Sequence, residues 1–232
     1  MSGFINIRLN FVWAVIGKNT IGKTPLAILM AKAWQKKRPN SKLIVFDPQD
    51  KFYEAHQRKD LRVDVIIPQN NPNWAQELSR FEERVAGKKE YVYENSLVIL
   101  DDFRMLCKNA NMPAFFLDLL ALRPKTNMEF IIICHAPMHI LEGLSYYVTD
   151  YSIFANEASN SSFEKKISCA VLCQKANLIV NKYVKLYGRG QYPLFPHIHV
   201  NKEQGELNFI NMDYERAKPL LNITDDIETQ AA

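Results

Sequence analysis

One octapeptide near the start of the chain limits the fold more than any other feature. It satisfies every fixed position of the phosphate-binding pattern G-x-x-x-x-G-K-[ST], as Gly17-Lys18-Asn19-Thr20-Ile21-Gly22-Lys23-Thr24. The unbroken apolar run 11–16 before it predicts a strand buried on both faces, and residues 26–37 after it have a helical apolar period. Strand, glycine loop and helix N-terminus together surround an anion with backbone N–H groups. The sequence therefore predicts a nucleotide-binding site here.

The residues of this phosphate loop have separate expected roles. The backbone from Gly17 to Gly22 would hold the phosphates, and Lys23 would reach the β- and γ-phosphates. The Thr24 hydroxyl would hold Mg²⁺, and Lys18 could supply further positive charge in cis. ATP and Mg²⁺ are therefore the expected cofactors.

The composition is ordinary for a globular protein and does not by itself identify the class of protein. The 232 residues are 47% hydrophobic and 23% charged, which is enough chain for one α/β domain with a small appendage. A net charge of +4 permits a nucleic-acid partner without demanding one. The four cysteines show no metal spacing and predict reduced thiols. No apolar run is long enough for a membrane span, so we expect a soluble intracellular protein without a membrane anchor.

Strands and helices alternate along the first two thirds of the chain. Short apolar runs predict strands at 43–46, 63–67, 97–100 and 130–133. Helical periods predict helices at 73–87 and 113–122. This alternation predicts a mostly parallel sheet flanked by helices, with ligands beyond the carboxyl ends of the strands. The polar residues that follow the strands should therefore share one edge of the sheet.

Acidic residues and a histidine at these strand ends suggest hydrolysis of a triphosphate. Asp101 would contact Mg²⁺, usually through water, and Asp102 would orient and polarise the attacking water. His135 is the candidate that senses the γ-phosphate. Asp47 and Asp50, after the second strand, could either help to position water or cap the next helix, and the sequence does not decide between these roles.

Phosphoryl transfer also needs positive charge near the γ-phosphate, commonly from an arginine of a neighbouring subunit. Arg123, at the end of the 113–122 helix, is the best-placed candidate, and Lys125 and Arg104 are the alternatives. Other loop lysines could contact phosphate backbones, although such charges usually form a solvated face.

Residues 155–232 read as a small subdomain after an ATPase core of 1–154. A capping box at Ser161 predicts one long or two shorter helices before Gly188. Two short runs, 197–200 and 207–210, predict a hairpin, and the polar tail from Asp213 should fray. In this region His197-x-His199 lacks a third metal ligand. Cys169 and Cys173 lie one helical turn apart, a spacing that favours packed core over a redox centre.

By these motifs the chain resembles the HerA/FtsK branch of P-loop ATPases, of the additional-strand type. The most specific element is Val45-Phe46-Asp47-Pro48-Gln49-Asp50, which resembles the strand-Asp-Pro element of members that pump DNA. The chain length, the order of the motifs and the turn at 187–193 resemble viral genome-packaging ATPases. Asp102 departs from the pattern, because many relatives have Glu there, and this shorter acid is compatible with a slow enzyme.

The resemblance implies a DNA translocase of the host-cell cytoplasm that acts on a procapsid. Such motors form rings, pentamers or hexamers, around double-stranded DNA, with ATP at subunit interfaces and an arginine donated in trans. A capsid portal protein would be a further partner. Three other functions stay open: a filamentous-phage assembly ATPase, a scaffold that binds ATP without hydrolysing it, and a small-molecule kinase.

Overall fold

In the computed structural model, the strands coincide with the apolar runs of the sequence. The structure describes residues 10–68, 94–106, 114–140, 143–191 and 195–228. The chain forms two compact units. The first comprises residues 1–12 and 24–133, and the second comprises 13–23 and 134–232. The helix predicted at 73–87 lies outside the described residues.

Parallel strands form the centre of the first unit. They are β2 (Lys42–Asp47), β3 (Val65–Pro68), β4 (Ser96–Leu100) and β5 (Glu129–Cys134), paired in the order β3-β2-β4-β5. Every residue of β4 and β5 is buried, as the unbroken apolar runs predict for strands covered on both faces.

Helices of the first unit bury large side chains beside these strands. They are α1 (Lys23–Lys37), α2 (Lys51–Gln57), α3 (Phe103–Leu106) and α4 (Ala114–Thr126). The Phe116 ring of α4 lies edge-on to Phe46 and Phe103, with ring centroids 6.0 Å apart in both pairs. The predicted helix at 113–122 is confirmed, and it continues to Thr126.

The strands of the second unit are partly antiparallel. β1 (Val12–Ile16) pairs in parallel with β6 (Asp150–Phe154), while β7 (His197–Asn201) is antiparallel to both β6 and β8 (Glu206–Ile210). The predicted hairpin is thereby confirmed. Trp13 of β1 donates its indole N–H to the Ser152 hydroxyl of β6 at 2.9 Å, which satisfies two buried polar groups.

The helices of the second unit correct two predictions. They are α5 (Leu144–Tyr147), α6 (Asn160–Glu164), α7 (Ala170–Tyr187) and α8 (Tyr214–Glu228). The helix predicted to begin at Ser161 has its N-cap at Ser159. The tail predicted to fray is helical because Asp213 accepts from the backbone N–H groups of Glu215 and Arg216, and because Ala217 is buried.

Mostly parallel strands flanked by helices are the predicted fold class, which is therefore confirmed. The predicted domain boundary between 154 and 155 stays a prediction, and it falls directly after β6. In the part of the chain that the structure describes, no helix is both long and apolar enough to cross a bilayer.

Candidate functional site

The phosphate loop is fixed at its first residues by backbone hydrogen bonds within the second unit. The Gly17 N–H donates to the Cys134 carbonyl at 3.2 Å, and the Lys18 N–H donates to the Ala155 carbonyl at 3.5 Å. Cys134 ends β5 and Ala155 follows β6, so the loop starts at the carboxyl ends of strands. This is the edge where parallel sheets place their ligands.

Both loop glycines are required by their surroundings. A Cβ on Gly17 would lie 2.6 Å from the Cβ of Phe154, which is too close for any side chain. Gly22 has a φ of +93°, and a Cβ there would lie 2.7 Å from Cγ of Phe195. Neighbouring side chains therefore leave no room for a Cβ at either glycine.

Lys23 lies under the loop, and only 5% of its surface is exposed. Its Nζ donates to the Lys18 carbonyl at 2.6 Å and is 3.3 Å from Nδ1 of His135. Because an ammonium only donates, a hydrogen bond between these two groups requires Nδ1 of His135 as its acceptor. The structure thus brings together Lys23 and His135, both singled out from the sequence.

Lys18 has a partner that the sequence did not indicate. Its Nζ lies 3.1 Å from Oε1 of Glu157, whose side chain is 89% exposed. Such an exposed ion pair contributes little to stability and is screened by salt. The pair spans residues far apart in sequence and carries no local pattern, so only the fold could reveal it.

Thr24 and Asp101 meet in the first unit. The Thr24 hydroxyl donates to Oδ2 of Asp101 at 3.5 Å, and the two residues are only 8% and 4% exposed. The other carboxylate oxygen, Oδ1, accepts the Asp102 N–H at 3.0 Å. Asp102 itself has a φ of +46°, a left-handed conformation that Asp tolerates better than most residues. The carboxylate of Asp101 is thereby held towards Thr24, in the first turn of α1.

Burial changes the acidity of Asp101. The pKa of its carboxyl is raised from 3.8 to about 6, chiefly by loss of water and in smaller part by the negative charges of Asp47 and Asp102. The positive charge of Lys51 and the N–H of Asp102 act in the opposite direction. A carboxylate in such surroundings gains strongly from a nearby cation.

Asp47 caps helix α2. Its carboxylate accepts the backbone N–H groups of Lys51, Phe52 and Tyr53 at 3.1, 2.7 and 3.0 Å, and the residue is fully buried. Burial raises the pKa of Asp47, and these hydrogen bonds lower it in part. Asp50 adopts the left-handed conformation at the N-cap position and makes no side-chain cap hydrogen bond. Of the two roles that the sequence left open, capping is the one with observed contacts, and Asp47 performs it.

Arg123 lies in the last turn of α4, and its charge acts on Glu129. Burial raises the pKa of Glu129, which is the first residue of β5, while Arg38 and Arg123 lower it. Glu129 is thus at the opposite end of β5 from Cys134. A role for Arg123 in a neighbouring subunit stays a prediction, as does that of the alternatives Lys125 and Arg104.

The histidines of β7 have structural partners. The His197 ring stacks on Phe154 with centroids 4.5 Å apart, and burial lowers the pKa of His197 to about 4. His199 lies 3.0 Å from Asp150, which is 1% exposed. Across the described ranges, His, Cys, Asp and Glu side chains do not cluster in threes or more as a metal site would require.

A mainly apolar crevice adjoins the phosphate loop in the second unit. Its cavity volume is about 10 Å³, roughly the space of one water molecule, and it is lined by Ile21, Phe154, Ala155, Val184, Arg189, Phe195 and Pro196. The crevice could not be predicted from the sequence, because its residues come from four separate segments. The aromatic ring of Phe195 lies both here and against Gly22.

Known structures resemble the chain at very low sequence identity. B204, the DNA-packaging ATPase from Sulfolobus Turreted Icosahedral Virus, superposes with a TM-score of 0.60 at 11% identity, over 88% of this chain and 98% of that protein. The B204 genome-packaging NTPase of Sulfolobus turreted icosahedral virus 2, in complex with ATP-gammaS, gives 0.54 at 13% identity over 88% and 98%. VirB4 of Thermoanaerobacter pseudethanolicus gives 0.51 at 10% identity over 89% and 91%.

Sequence comparisons are less informative. No protein-family model matches the chain. No curated protein matches it either. At identities of 10 to 13% the structural likeness establishes the fold alone. The resemblance inferred from the motifs is therefore confirmed at the level of the fold, and the chain has the fold of the P-loop packaging ATPases.

Proposed function

We propose that this chain is an ATP-hydrolysing motor that moves double-stranded DNA during viral genome packaging. The observation that carries the proposal is the hydroxyl of Thr24 facing the carboxylate of Asp101 at 3.5 Å. The last residue of a phosphate loop and an acid at a strand end form this pair in nucleotide hydrolases that use Mg²⁺. A glycine loop with a surface lysine would not require it.

The donor set fits Mg²⁺. A hydroxyl and a carboxylate are hard oxygen ligands, and the ion usually keeps several waters and takes only one or two protein ligands. Thr24 and Asp101 would hold it. When bound, Mg²⁺ neutralises charge on the β- and γ-phosphate oxygens.

The remaining residues would act on the triphosphate and on water. Lys23 would exchange the Lys18 carbonyl for phosphate oxygens, and His135, 3.3 Å from Lys23, would respond to that movement. Asp102 would orient the attacking water and accept its proton.

DNA translocation is a further step of the proposal. It is supported by the fold of B204, which is a DNA-packaging ATPase, and by the net charge of +4. We propose a ring of subunits, five or six, around double-stranded DNA in the host cytoplasm, with Arg123 of one subunit completing the ATP site of the next. A capsid portal protein would be the docking partner.

The test is ATP turnover by purified protein with Mg²⁺, with and without double-stranded DNA. We expect DNA to stimulate release of free phosphate, and Lys23→Ala and Asp102→Ala to lower turnover by about 10²-fold. Asp60→Asn, an exposed carboxylate, is the matched control and should behave as wild type.

Three outcomes would contradict the proposal in different ways. Phosphate transferred to an acceptor would indicate a kinase, and ATP bound without turnover would indicate a scaffold. Turnover of Asp102→Ala equal to wild type would remove Asp102 from the mechanism. Electron microscopy with a non-hydrolysable ATP analogue and duplex DNA tests the ring, since isolated monomers without DNA would refute it.

A further inference from the structure

Two cysteines at the start of α7 lie close enough to react with each other. The Sγ atoms of Cys169 and Cys173 are 3.5 Å apart. Cys173 is fully buried, whereas Cys169 is partly exposed to solvent. The expectation that both are packed core therefore holds for Cys173 only. A solvent-accessible thiol backed by a buried one is an arrangement that supports thiol–disulfide exchange.

The backbone at Cys169 allows the two sulfur atoms to come closer together. Residues four apart within a regular helix have Cβ atoms about 5–6 Å apart, whereas a disulfide needs about 3.5–4.5 Å. Cys169 is the N-cap of α7, with φ −119° and ψ 52°, so its side chain is not fixed on the helical repeat. A small rotation at this residue can therefore shorten the distance without breaking the helix.

The surroundings distinguish the two thiols. A hydrogen bond with Cys173 and the positive charge of Lys202 lower the pKa of Cys169 against the effect of burial. The Lys202 ammonium is held nearby by the Tyr146 carbonyl at 3.3 Å. Burial raises the pKa of Cys173. Because the thiolate is the attacking species, Cys169 is the first to react.

We propose that Cys169 and Cys173 form an oxidisable dithiol, a modification site for low-molecular-weight disulfides such as oxidised glutathione. The Cys169 thiolate attacks one sulfur of glutathione disulfide, which gives a mixed disulfide and releases one glutathione. Cys173 then loses its proton, which the departing glutathione thiolate takes up, and its thiolate attacks Cys169 Sγ, which forms the Cys169–Cys173 bond and releases the second glutathione. Two electrons and two protons pass from the protein thiols to the two glutathione molecules.

Mass spectrometry can detect this reaction, because one proteolytic peptide contains both cysteines. Cleavage after Lys166 and Lys175 yields one peptide, residues 167–175, that contains both cysteines and neither Cys107 nor Cys134. Folded protein is incubated with oxidised glutathione, blocked with an alkylating agent and digested. We expect this peptide to be lighter by two hydrogens and to carry no alkyl group until it is reduced.

Single variants test the order of the two steps. Cys173→Ala should stop at a glutathione mixed disulfide on Cys169. Cys169→Ala should slow glutathione incorporation into the peptide by at least about tenfold, since the buried thiol remains. Cys134→Ala should still form the internal bond, and circular dichroism checks that each variant is folded.

Three results would overturn the inference. In the treated wild-type protein, they are a peptide in which both cysteines are alkylated, or a product that stays at the mixed disulfide. In folded Cys169→Ala, it is glutathione incorporated on Cys173 at the wild-type rate. If a variant does not fold, the wild-type peptide alone still decides, because it contains both thiols. None of these readouts depends on ATP turnover, so failure here leaves the proposed motor function untouched.

Discussion

Replacing Asp101 by Asn should stabilise the metal-free protein at neutral and alkaline pH. The folded-state pKa of Asp101 is raised from 3.8 to about 6, so the folded protein binds this proton more tightly than the unfolded chain does. The resulting stability is fully present below pH 3.8 and is lost as pH rises through about 6. At about 1.4 kcal/mol per pH unit, the folded carboxylate costs about 3 kcal/mol at pH 8 and about half of that at pH 5.

The assay is urea unfolding of wild type and Asp101→Asn in EDTA at several pH values. We expect the variant to be more stable at pH 8 by up to about 3 kcal/mol, with the gain shrinking towards acid. Asp60→Asn measures the generic effect of removing one exposed negative charge. A gain that is constant from pH 5 to pH 8, or a loss at pH 8, would refute the reasoning. Saturating Mg²⁺ should narrow the gap, since it stabilises only the wild-type carboxylate.

Three further changes test a strained glycine, a helix cap and a buried ion pair. Gly22→Ala should destabilise the fold by more than Gly205→Ala in urea unfolding, because both have positive φ but only Gly22 has atoms within 4 Å of an added Cβ; equal losses would contradict this. Asp47→Ala should lower the free energy of unfolding by about 2 kcal/mol in the same assay, because three backbone N–H groups lose their hydrogen-bond acceptor. An unchanged urea midpoint would show that water replaces the cap. Arg38→Met should cost about 3 kcal/mol by leaving the buried Glu129 carboxylate without its 3.1 Å partner, and thermal unfolding at pH 8 that matches wild type would contradict it.

The strands were predictable because burial on both faces leaves an unbroken apolar run in the sequence. β2 and β4 lie within one residue of the runs that predicted them, and their parallel register brings Phe46 opposite Leu100. The alternation with helices then places Asp47 and Asp101 at one edge, as expected. The C-terminal helix α8 was missed because its polar composition outweighed the local signal of Asp213 as an N-cap.

Part of the candidate site could be predicted, because a loop that binds phosphate through its backbone N–H groups requires particular residues at a short, fixed spacing. Gly17, Gly22, Lys23 and Thr24 were found because a glycine loop leaves a fixed spacing. The partner of Lys18 and the ring against Gly22 were not, since Glu157 and Phe195 come from distant segments that only tertiary structure brings close. Side-chain contacts of this kind leave no periodicity in one sequence.

Buried carboxylates in this protein show why Asp101 fits a cation. Glu129 lies 3.1 Å from Arg38, Asp150 lies 3.0 Å from His199, and Asp47 accepts three backbone N–H groups. Asp101 is almost as buried, yet among the described residues its carboxylate accepts hydrogen bonds from only one N–H and one hydroxyl, and the charge of Lys51 offsets only part of the effect of burial on its pKa. A buried carboxylate is costly unless it is paired or coordinates a metal. Its site therefore carries an energetic cost that Mg²⁺ would offset, and this cost supports the proposal that Asp101 and Thr24 hold the ion.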